Sequence, residues 1–154
     1  MATNFKEFNY SEFSIVHMAT FHSKGQEYEL TLQKVGKFNQ QDSTLSFPPN
    51  YIFSKNGCWE ISFDLVENIV NRNSFVAPKL GLVNPIMVMR TVERAILDHY
   101  NEFKTGMYIF LPDNERLEAV YRRLLDRKLG NGFTLEMGLE PDGRGYVLRT
   151  PRCY

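Results

Sequence analysis

The chain has 154 residues, of which 43% are hydrophobic and 23% are charged. This is the size of one ordinary domain, and the composition excludes a chain that is disordered throughout. Eighteen basic residues balance eighteen acidic ones, so no net field gathers nucleic acid or anionic membrane surfaces. No apolar stretch reaches the roughly 18–20 residues that span a bilayer, and we expect no membrane partner.

Strand patterns dominate the first half of the sequence. The segment Ser14–Ser23 is a strand candidate, and 27–35 alternates apolar and polar residues, with a turn signal between the two. A polar loop leads to a short apolar run at 51–53, followed by an Asn-Gly turn pair and an alternating segment at Cys58–Leu65. These patterns predict an antiparallel meander of about four strands.

The second half begins with a helix pattern. Asn84 followed by Pro85 has the form of an N-cap with proline at the first helical position. Apolar residues then recur every three or four positions, which predicts one apolar stripe along an amphipathic helix. The predicted stripe consists of Met89, Val92, Ile96, Tyr100 and Phe103.

Strand and helix patterns alternate in the remaining sequence. The apolar run at 107–111 predicts a central strand that is buried on both faces. A second amphipathic helix pattern follows Pro112 and continues through Lys128. Two strand patterns come last, at 133–139 and 146–150. The inward-facing residues of the first of these are predicted to be Phe133, Leu135, Met137 and Leu139.

Together these elements predict an α+β fold, with a mostly antiparallel sheet of six to seven strands and two main helices packed on it. The crossover from Cys58–Leu65 through the first helix to 107–111 is expected to be parallel and right-handed. We expect a single α+β domain over 13–154, preceded by an N-terminal aromatic arm at 1–12. The irregular segment 68–83 is either a functional or interfacial loop or a plain surface crossover.

The second half resembles the GNAT acyltransferase fold in the order of its elements. In that family a strand, a helix and a strand hold the acyl-CoA, and a second helix and a hairpin close the domain. The segment 114–125 also resembles a helix in which many members carry an asparagine and, seven residues later, a tyrosine. The resemblance implies that Asn114 contacts acetyl-CoA and that Tyr121 protonates the leaving thiolate.

The sequence departs from that family where the pyrophosphate of the cofactor would bind. GNAT enzymes use a glycine-rich loop there, whose bare N–H groups approach the phosphates at a helix N-terminus. Here 77–85 holds one glycine, Gly81, and Pro85 lacks an N–H donor. We therefore expect no cofactor and an absent or remodelled acyl-CoA site. Cofactor binding by Gly81 and Asn114 belongs only to the alternative of a GNAT-type N-acetyltransferase.

A second resemblance covers four segments of the sequence. The segments 87–100, 107–114, 116–129 and 146–149 together are similar to small proteins of unassigned function from large tailed bacteriophages. This resemblance implies a phage accessory or virion-associated protein, located in the cytoplasm of the host cell or within the phage particle. It implies no particular activity.

Residues that carry chemistry are few and show no catalytic spacing. His17 and His22 are five residues apart, so on a strand they face opposite sides. They form no metal-ligand motif with His99, and we expect no metal. Cys58 and Cys153 lack a nucleophile signature. We expect two reduced thiols, with a disulfide between them as the open alternative.

Basic residues accumulate in the last forty residues, where acidic residues dilute them. The group at the end of the second predicted helix includes Arg122, Arg123, Arg127 and Lys128. This group is either a solvated helix face that suits the helix dipole, or a contact for phosphate or an acidic partner. We do not expect a nucleic acid partner, because the net charge of the chain is zero.

Aromatic residues are concentrated in the polar N-terminal segment. Such residues either fold back onto their own domain or dock in a groove of a partner. We expect a non-enzymatic protein-interaction or structural module that binds a protein partner or an assembly, and we leave homo-oligomerisation open. The predicted partner-binding residues are Phe5, Phe8, Tyr10, Phe13 and Phe75.

Overall fold

A computed structural model describes residues 3–11, 14–23, 25–65, 85–111 and 132–153. Within these ranges the chain forms seven strands, one long helix and a short 3₁₀ helix at Gln40–Asp42. The strands and the long helix are, in chain order, β1 (Lys6–Ser11), β2 (Ser14–Ser23), β3 (Gln26–Lys34), β4 (Cys58–Leu65), α1 (Pro85–Phe103), β5 (Met107–Phe110), β6 (Thr134–Leu139) and β7 (Gly145–Arg149).

All seven strands belong to one sheet, in the order β1-β2-β3-β4-β5-β7-β6. Neighbours pair antiparallel except β4 and β5, which are parallel and are connected through α1. The predicted α+β class, the mostly antiparallel sheet and its upper strand number are confirmed. The second predicted helix, after Pro112, and the irregular segment 68–83 lie outside the described residues.

The first four strands, β1 to β4, form the predicted antiparallel meander. One of them is not the predicted run at 51–53 but a strand at the N-terminus, β1. The apolar run at 51–53 is not a strand, although the turn after it forms, with the Gly57 N–H donating to the Ser54 carbonyl at 3.1 Å. Gly57 has a φ of 96°, which glycine adopts without strain. The apolar side chains of this run pack together instead: the rings of Tyr51 and Phe53 lie with centroids 5.2 Å apart, against the second core cluster.

The missing strand is β1, in the segment that the sequence predicts to be an aromatic arm. Its register joins Glu7 to His17 and Phe8 to Val16 of β2, and a bulge interrupts the pairing between Asn9 and Ser11. All six residues of β1 are exposed, so alternation between a buried and a solvated face is lacking. Without that contrast, hydrophobic periodicity does not reveal a strand.

The core lies on both faces of the sheet. One cluster fills the space between the sheet and α1, and a second lies on the opposite face under the loop that joins β3 to β4. Alternation along β4 sends Trp59 and Ile61 to the first cluster and Cys58 to the second. All four residues of β5 are buried, which confirms the predicted central strand.

The buried stripe of α1 differs from the predicted one by a rotation about the helix axis. Val92 and Ile96 are buried as predicted, but Phe103 is 38% exposed. Ala95 and His99 are buried beside them, so the stripe is spaced i, i+3, i+4 and i+7 from Val92. A histidine therefore occupies a core position of the helix, where the sequence pattern predicts only apolar residues.

A second difference from prediction occurs in β6. Met137 was predicted to face inward, and this is wrong, because Met137 is half exposed. The pairing of β6 with β7 shifts by one residue between Met137 and Leu139, around Gly138 with a φ of 132°. A one-residue shift moves side chains to the other face. Leu135 accordingly packs on the cluster beside α1 and Leu139 on the opposite one.

Candidate functional site

The predicted site residues that the structure describes lie on or next to β1. Phe5 immediately precedes the strand, and Phe8 and Tyr10 belong to it. The other predicted residues are outside the described ranges, and the structure does not test their roles. They are the partner-binding candidates Phe13 and Phe75 and the acyltransferase candidates Gly81, Asn114 and Tyr121.

β1 is an edge strand that carries an aromatic pair on its outer face. It is the first strand in the order of the sheet, next to β2. Phe8 is 39% exposed and Tyr10 is 69% exposed, and their rings stack with centroids 6.5 Å apart. Since Glu7 points to the α1 side, Phe8 lies on the opposite face of the sheet. The two rings offer an apolar surface to solvent beside an edge of the sheet that no other described strand covers.

The residues before β1 are attached to the domain from the α1 side. The backbone N–H and the hydroxyl of Thr3 both donate to Asp98 Oδ2 on α1, at 2.9 and 2.8 Å. Phe5 packs against the core cluster, and its ring meets His99 edge-on with centroids 5.2 Å apart. This part of the N-terminal segment is therefore folded back on the domain, with Phe5 inside and the pair Phe8 and Tyr10 outside.

Beneath β1, four side chains from four elements are joined by short hydrogen bonds. Glu7 Oε1 lies 2.8 Å from His17 Nε2, and His17 Nδ1 lies 2.8 Å from His99 Nε2. His99 Nδ1 lies 2.7 Å from the hydroxyl of Tyr108. We call Glu7, His17, His99 and Tyr108 the histidine network. It runs from a half-exposed carboxylate on β1 to a fully buried phenol on the central strand β5.

Aromatic side chains surround the two imidazoles. Trp59 stacks on His17 with ring centroids 4.2 Å apart, and Phe103 lies 4.4 Å from the same ring. His17 is 2% exposed and His99 is fully buried. Apolar walls of this kind exclude water, so the polar atoms of the network depend on one another for hydrogen bonds.

The electrostatic setting of the network favours neutral groups inside and a charge at its outer end. Burial, and secondarily the proximity of His17, lowers the pKa of His99 to about 3. Burial raises the pKa of Tyr108. The hydrogen bonds from His17 and then Asn9 lower the pKa of the Glu7 carboxyl. At neutral pH the network therefore consists of an anionic Glu7, a neutral His99 and a neutral Tyr108.

A second buried polar group lies on the opposite face of the sheet. The Glu60 carboxylate of β4 accepts hydrogen bonds from the hydroxyl of Ser43 and from the backbone N–H and hydroxyl of Thr44. All of these donors belong to the loop that joins β3 to β4. This carboxylate therefore fastens the loop over the second core cluster, and its donors are hydroxyl and amide groups that do not titrate near neutral pH.

The two cysteines are buried free thiols on the same face. Burial, and then the proximity of Glu60, raises the pKa of the Cys58 thiol, which disfavours the reactive thiolate. Cys153 Sγ lies 3.5 Å from Nη1 of Arg149. Both thiols are free, as predicted, and no disulfide joins them.

The parallel pair in the middle of the sheet is short. The pairing of β4 with β5 begins at Cys58 and Met107 and ends at Glu60 and Ile109, after three residue pairs. β4 continues along β3 as far as Leu65. Among the described strands, β4 therefore pairs beyond Glu60 with β3 and no longer with β5, although β5 continues to Phe110.

The described residues contain neither a metal-ligand cluster nor a membrane-spanning helix. In that part of the chain, no group of three or more His, Cys, Asp or Glu side chains is arranged to hold a metal ion. The one long helix it contains is too polar to cross a lipid bilayer. No family model, no curated protein and no solved structure matches the chain. Function is therefore inferred from β1 and from the histidine network beneath it.

Sequence reasoning did not find the histidine network. His17 and His99 are 82 residues apart, and a single sequence contains no signal that pairs them. One local signal was present, because His99 stands seven residues after Val92, on the apolar face of its helix. A histidine at such a position needs a buried hydrogen-bond partner, although the helix pattern does not say which one.

Proposed function

We propose that the protein is a GNAT-like α+β domain that acts by binding a protein partner through β1, without acyl-CoA chemistry. The observation that carries this proposal is the stacked pair of Phe8 and Tyr10, exposed on the edge strand of the sheet. Large aromatic side chains are the residues that most often anchor protein interfaces. An edge strand next to them offers main-chain donors and acceptors to an added strand.

The attachment of β1 to the domain supports this role. Thr3 is bonded to Asp98 and Glu7 to His17, both from the side that faces α1. A strand that is already ordered loses little conformational freedom when a partner binds, which favours affinity. The bulge between Asn9 and Ser11 interrupts the regular edge. A partner strand therefore has its most regular template at the residues before the bulge.

The experiment that tests the proposal compares the two edges of the sheet. Phe8→Ser with Tyr10→Ser removes the aromatic pair from β1, and Met137→Ser is the matched control on β6, the other edge strand. Quantitative co-purification from the native source should show a partner whose recovery falls at least tenfold with the β1 variant and less than twofold with the control. Equal recovery with both variants would contradict a role for β1.

Point substitutions are preferable to removing residues 1–12. Such a deletion would also remove Thr3, Phe5 and Glu7, which contact the domain. Loss of binding would then follow from damage to the core as well as from loss of the aromatic pair. Analytical ultracentrifugation of the same variants identifies the case in which the partner is a second copy of this chain.

An N-acetyltransferase is the second candidate, and one observation favours it. The parallel strands β4 and β5 are joined through α1, and their pairing ends after three residue pairs. This arrangement is similar to the GNAT fold, in which the corresponding strands separate to admit the pantetheine arm. Against it, α1 begins with Pro85, which lacks the N–H that a pyrophosphate would use at that helix terminus.

Titration calorimetry with acetyl-CoA distinguishes the two candidates. A protein-interaction module gives no saturable heat at micromolar protein. Saturable micromolar binding, together with transfer activity that is lost in Tyr121→Phe, would replace the proposed function by the acyltransferase. In that case Asn114→Ala should weaken binding of the cofactor, because the resemblance gives Asn114 a cofactor contact.

A further inference from the structure

The histidine network connects the edge strand to the core through groups that exchange protons. We propose that Glu7, His17, His99 and Tyr108 form an acid-sensitive latch, which holds β1 against the domain and releases it when the histidine pair takes up protons. The latch concerns the docking of β1 to its own domain. It therefore stands or falls independently of any partner that binds β1.

The hydrogen positions in the closed latch follow from the chemistry of its two ends. An ionised carboxylate only accepts hydrogen bonds, so His17 Nε2–H donates to Glu7. When each imidazole carries one hydrogen, His17 Nδ1 is then an acceptor, and His99 Nε2–H donates to it. His99 Nδ1 in turn accepts from the hydroxyl of Tyr108. Each of these nitrogen and oxygen atoms of the histidine network then has a hydrogen-bond partner, and every hydrogen bond is donated in the direction of Glu7.

This row accommodates one additional proton but not two. A proton added to His17 lets that ring donate to both neighbours, and His99 changes tautomer to accept it. A proton on both rings places two N–H groups face to face across the 2.8 Å between His17 Nδ1 and His99 Nε2. That contact has no acceptor, and it opposes two positive charges inside an aromatic enclosure. The doubly protonated pair therefore needs solvation by water, which reaches the two rings when β1 and the residues before it move away, since Phe5 covers His99 and Glu7 binds His17 in the closed latch.

Among the described residues, the charged groups outside the latch that lie near it belong to β3 and α1. Lys34 on β3 lies near enough to Glu7 to favour its ionised form. On α1, Asp98 holds Thr3 and is paired with Arg94 at 3.8 Å. Tyr108 on β5 stays neutral, since burial raises its pKa. None of these groups supplies a second carboxylate to the imidazoles, so none offsets the double positive charge.

At pH below the range in which the histidine pair takes up protons, protonation of two carboxyls with lowered pKa also weakens the attachments of the N-terminal segment. Protonated Glu7 is a poorer acceptor for His17, and protonated Asp98 is a poorer acceptor for Thr3. Burial works to raise the pKa of Asp98, and the two hydrogen bonds from Thr3 bring it below its usual value. Release of β1 leaves β2 as the new edge of the sheet.

Hydrogen–deuterium exchange of the isolated full chain tests the latch. Between pH 7.5 and 4.5, after correction for intrinsic exchange, we expect protection of the β1 amides to fall at least tenfold. Protection of the β3 amides (Gln26–Lys34) should fall less than threefold. A pH-independent β1 overturns the latch, and so does an equal loss of protection in β1 and β3, which would be global unfolding.

The sharpest variant is His99→Gln. A glutamine amide can donate to His17 Nδ1 and accept from Tyr108, yet it cannot take up a proton. In this variant the acid-induced loss of β1 protection should shrink below threefold, and a response equal to that of the unsubstituted chain contradicts the proposal. The control is Glu27→Gln, an exposed strand carboxylate outside the network, which should keep the original pH profile.

Two measurements keep the test decisive if His99→Gln does not fold. Glu7→Gln changes an exposed residue and removes the charge at the end of the row, so protection of β1 at pH 7.5 should fall at least threefold. Nitrogen-15 NMR of the unsubstituted chain at pH 8 should find both His17 and His99 protonated at Nε2. Protonation of His99 at Nδ1 under those conditions would overturn the hydrogen positions on which the latch depends.

Discussion

The two faces of the sheet each bury a polar group, and they satisfy it in opposite ways. Beside α1, the histidine network joins titratable groups into a row whose outer end, Glu7, reaches solvent. On the other face, Glu60 is held by hydroxyl and amide donors of one loop. The first arrangement contains partners that exchange protons, whereas the hydroxyl and amide partners of Glu60 do not titrate near neutral pH. This difference in partners is why the proposed latch lies on the face beside α1.

The largest expected loss of stability comes from His99→Leu, a substitution on the face of the sheet beside α1. This substitution leaves His17 Nδ1 and the Tyr108 hydroxyl without their partner inside the aromatic enclosure. Each unsatisfied buried group costs about 1–3 kcal/mol, so the free energy of unfolding should fall by roughly 2–6 kcal/mol. Urea denaturation at pH 7.5 measures this. A loss below about 1 kcal/mol would mean that water replaces the imidazole.

The next largest loss of stability is expected from Glu60→Ala, on the opposite face of the sheet. It leaves the donors of Ser43 and Thr44 without their acceptor, but the loop that carries them is partly accessible to water. We expect a smaller loss of unfolding free energy, about 1–3 kcal/mol. The same denaturation series provides the measurement. If Glu60→Ala cost more than His99→Leu, the ranking of the two faces would be reversed.

The smallest expected effect is the change in the free energy of unfolding per pH unit. This pH dependence distinguishes the two faces of the sheet most clearly. The pKa of His99 is lowered to about 3 by burial and by His17. The unfolded chain therefore binds a proton at this residue below about pH 6.5, while the folded chain does so only near pH 3. Stability attributable to His99 is complete above pH 6.5. It is lost as pH falls towards 3, by up to about 1.4 kcal/mol per pH unit.

Denaturation midpoints measured from pH 7.5 to 4.5 check this slope. His99→Gln should flatten the curve, because the amide does not titrate. Glu60→Gln should leave the part of the slope due to His99 in place, since Glu60 lies on the opposite face and its hydrogen-bond partners are Ser43 and Thr44. A slope that survives in His99→Gln would assign the proton uptake to another residue.

Much of the fold was predictable because most elements bury one face and expose the other. β3 and β4 alternate, and α1 repeats every three to four residues, so their periods are visible in the sequence. The buried run of β5 identified a central strand. β1 was missed because all of its residues are exposed. The shift at Gly138 was missed because a bulge depends on pairing with β7, which the local sequence does not encode.

The candidate site was predictable only in part, for a related reason. The aromatic residues of the N-terminal segment were visible as composition, and Phe8 and Tyr10 are indeed exposed. Their division into an inner Phe5 and an outer pair depends on the strand, which was not predicted. The histidine network depends on tertiary contacts between four elements, so it could be found only after β2, α1 and β5 were placed side by side.

One contact of the network has a practical consequence. Trp59 is the only tryptophan of the chain, and its indole stacks on His17 at 4.2 Å. A change in the charge of that imidazole changes the electrostatic field at the indole ring, and indole emission responds to its surroundings. The molecule therefore contains an optical reporter, fixed at the imidazole that bonds Glu7. The emission intensity of Trp59 can therefore follow the protonation of the His17 ring in real time, without any added label.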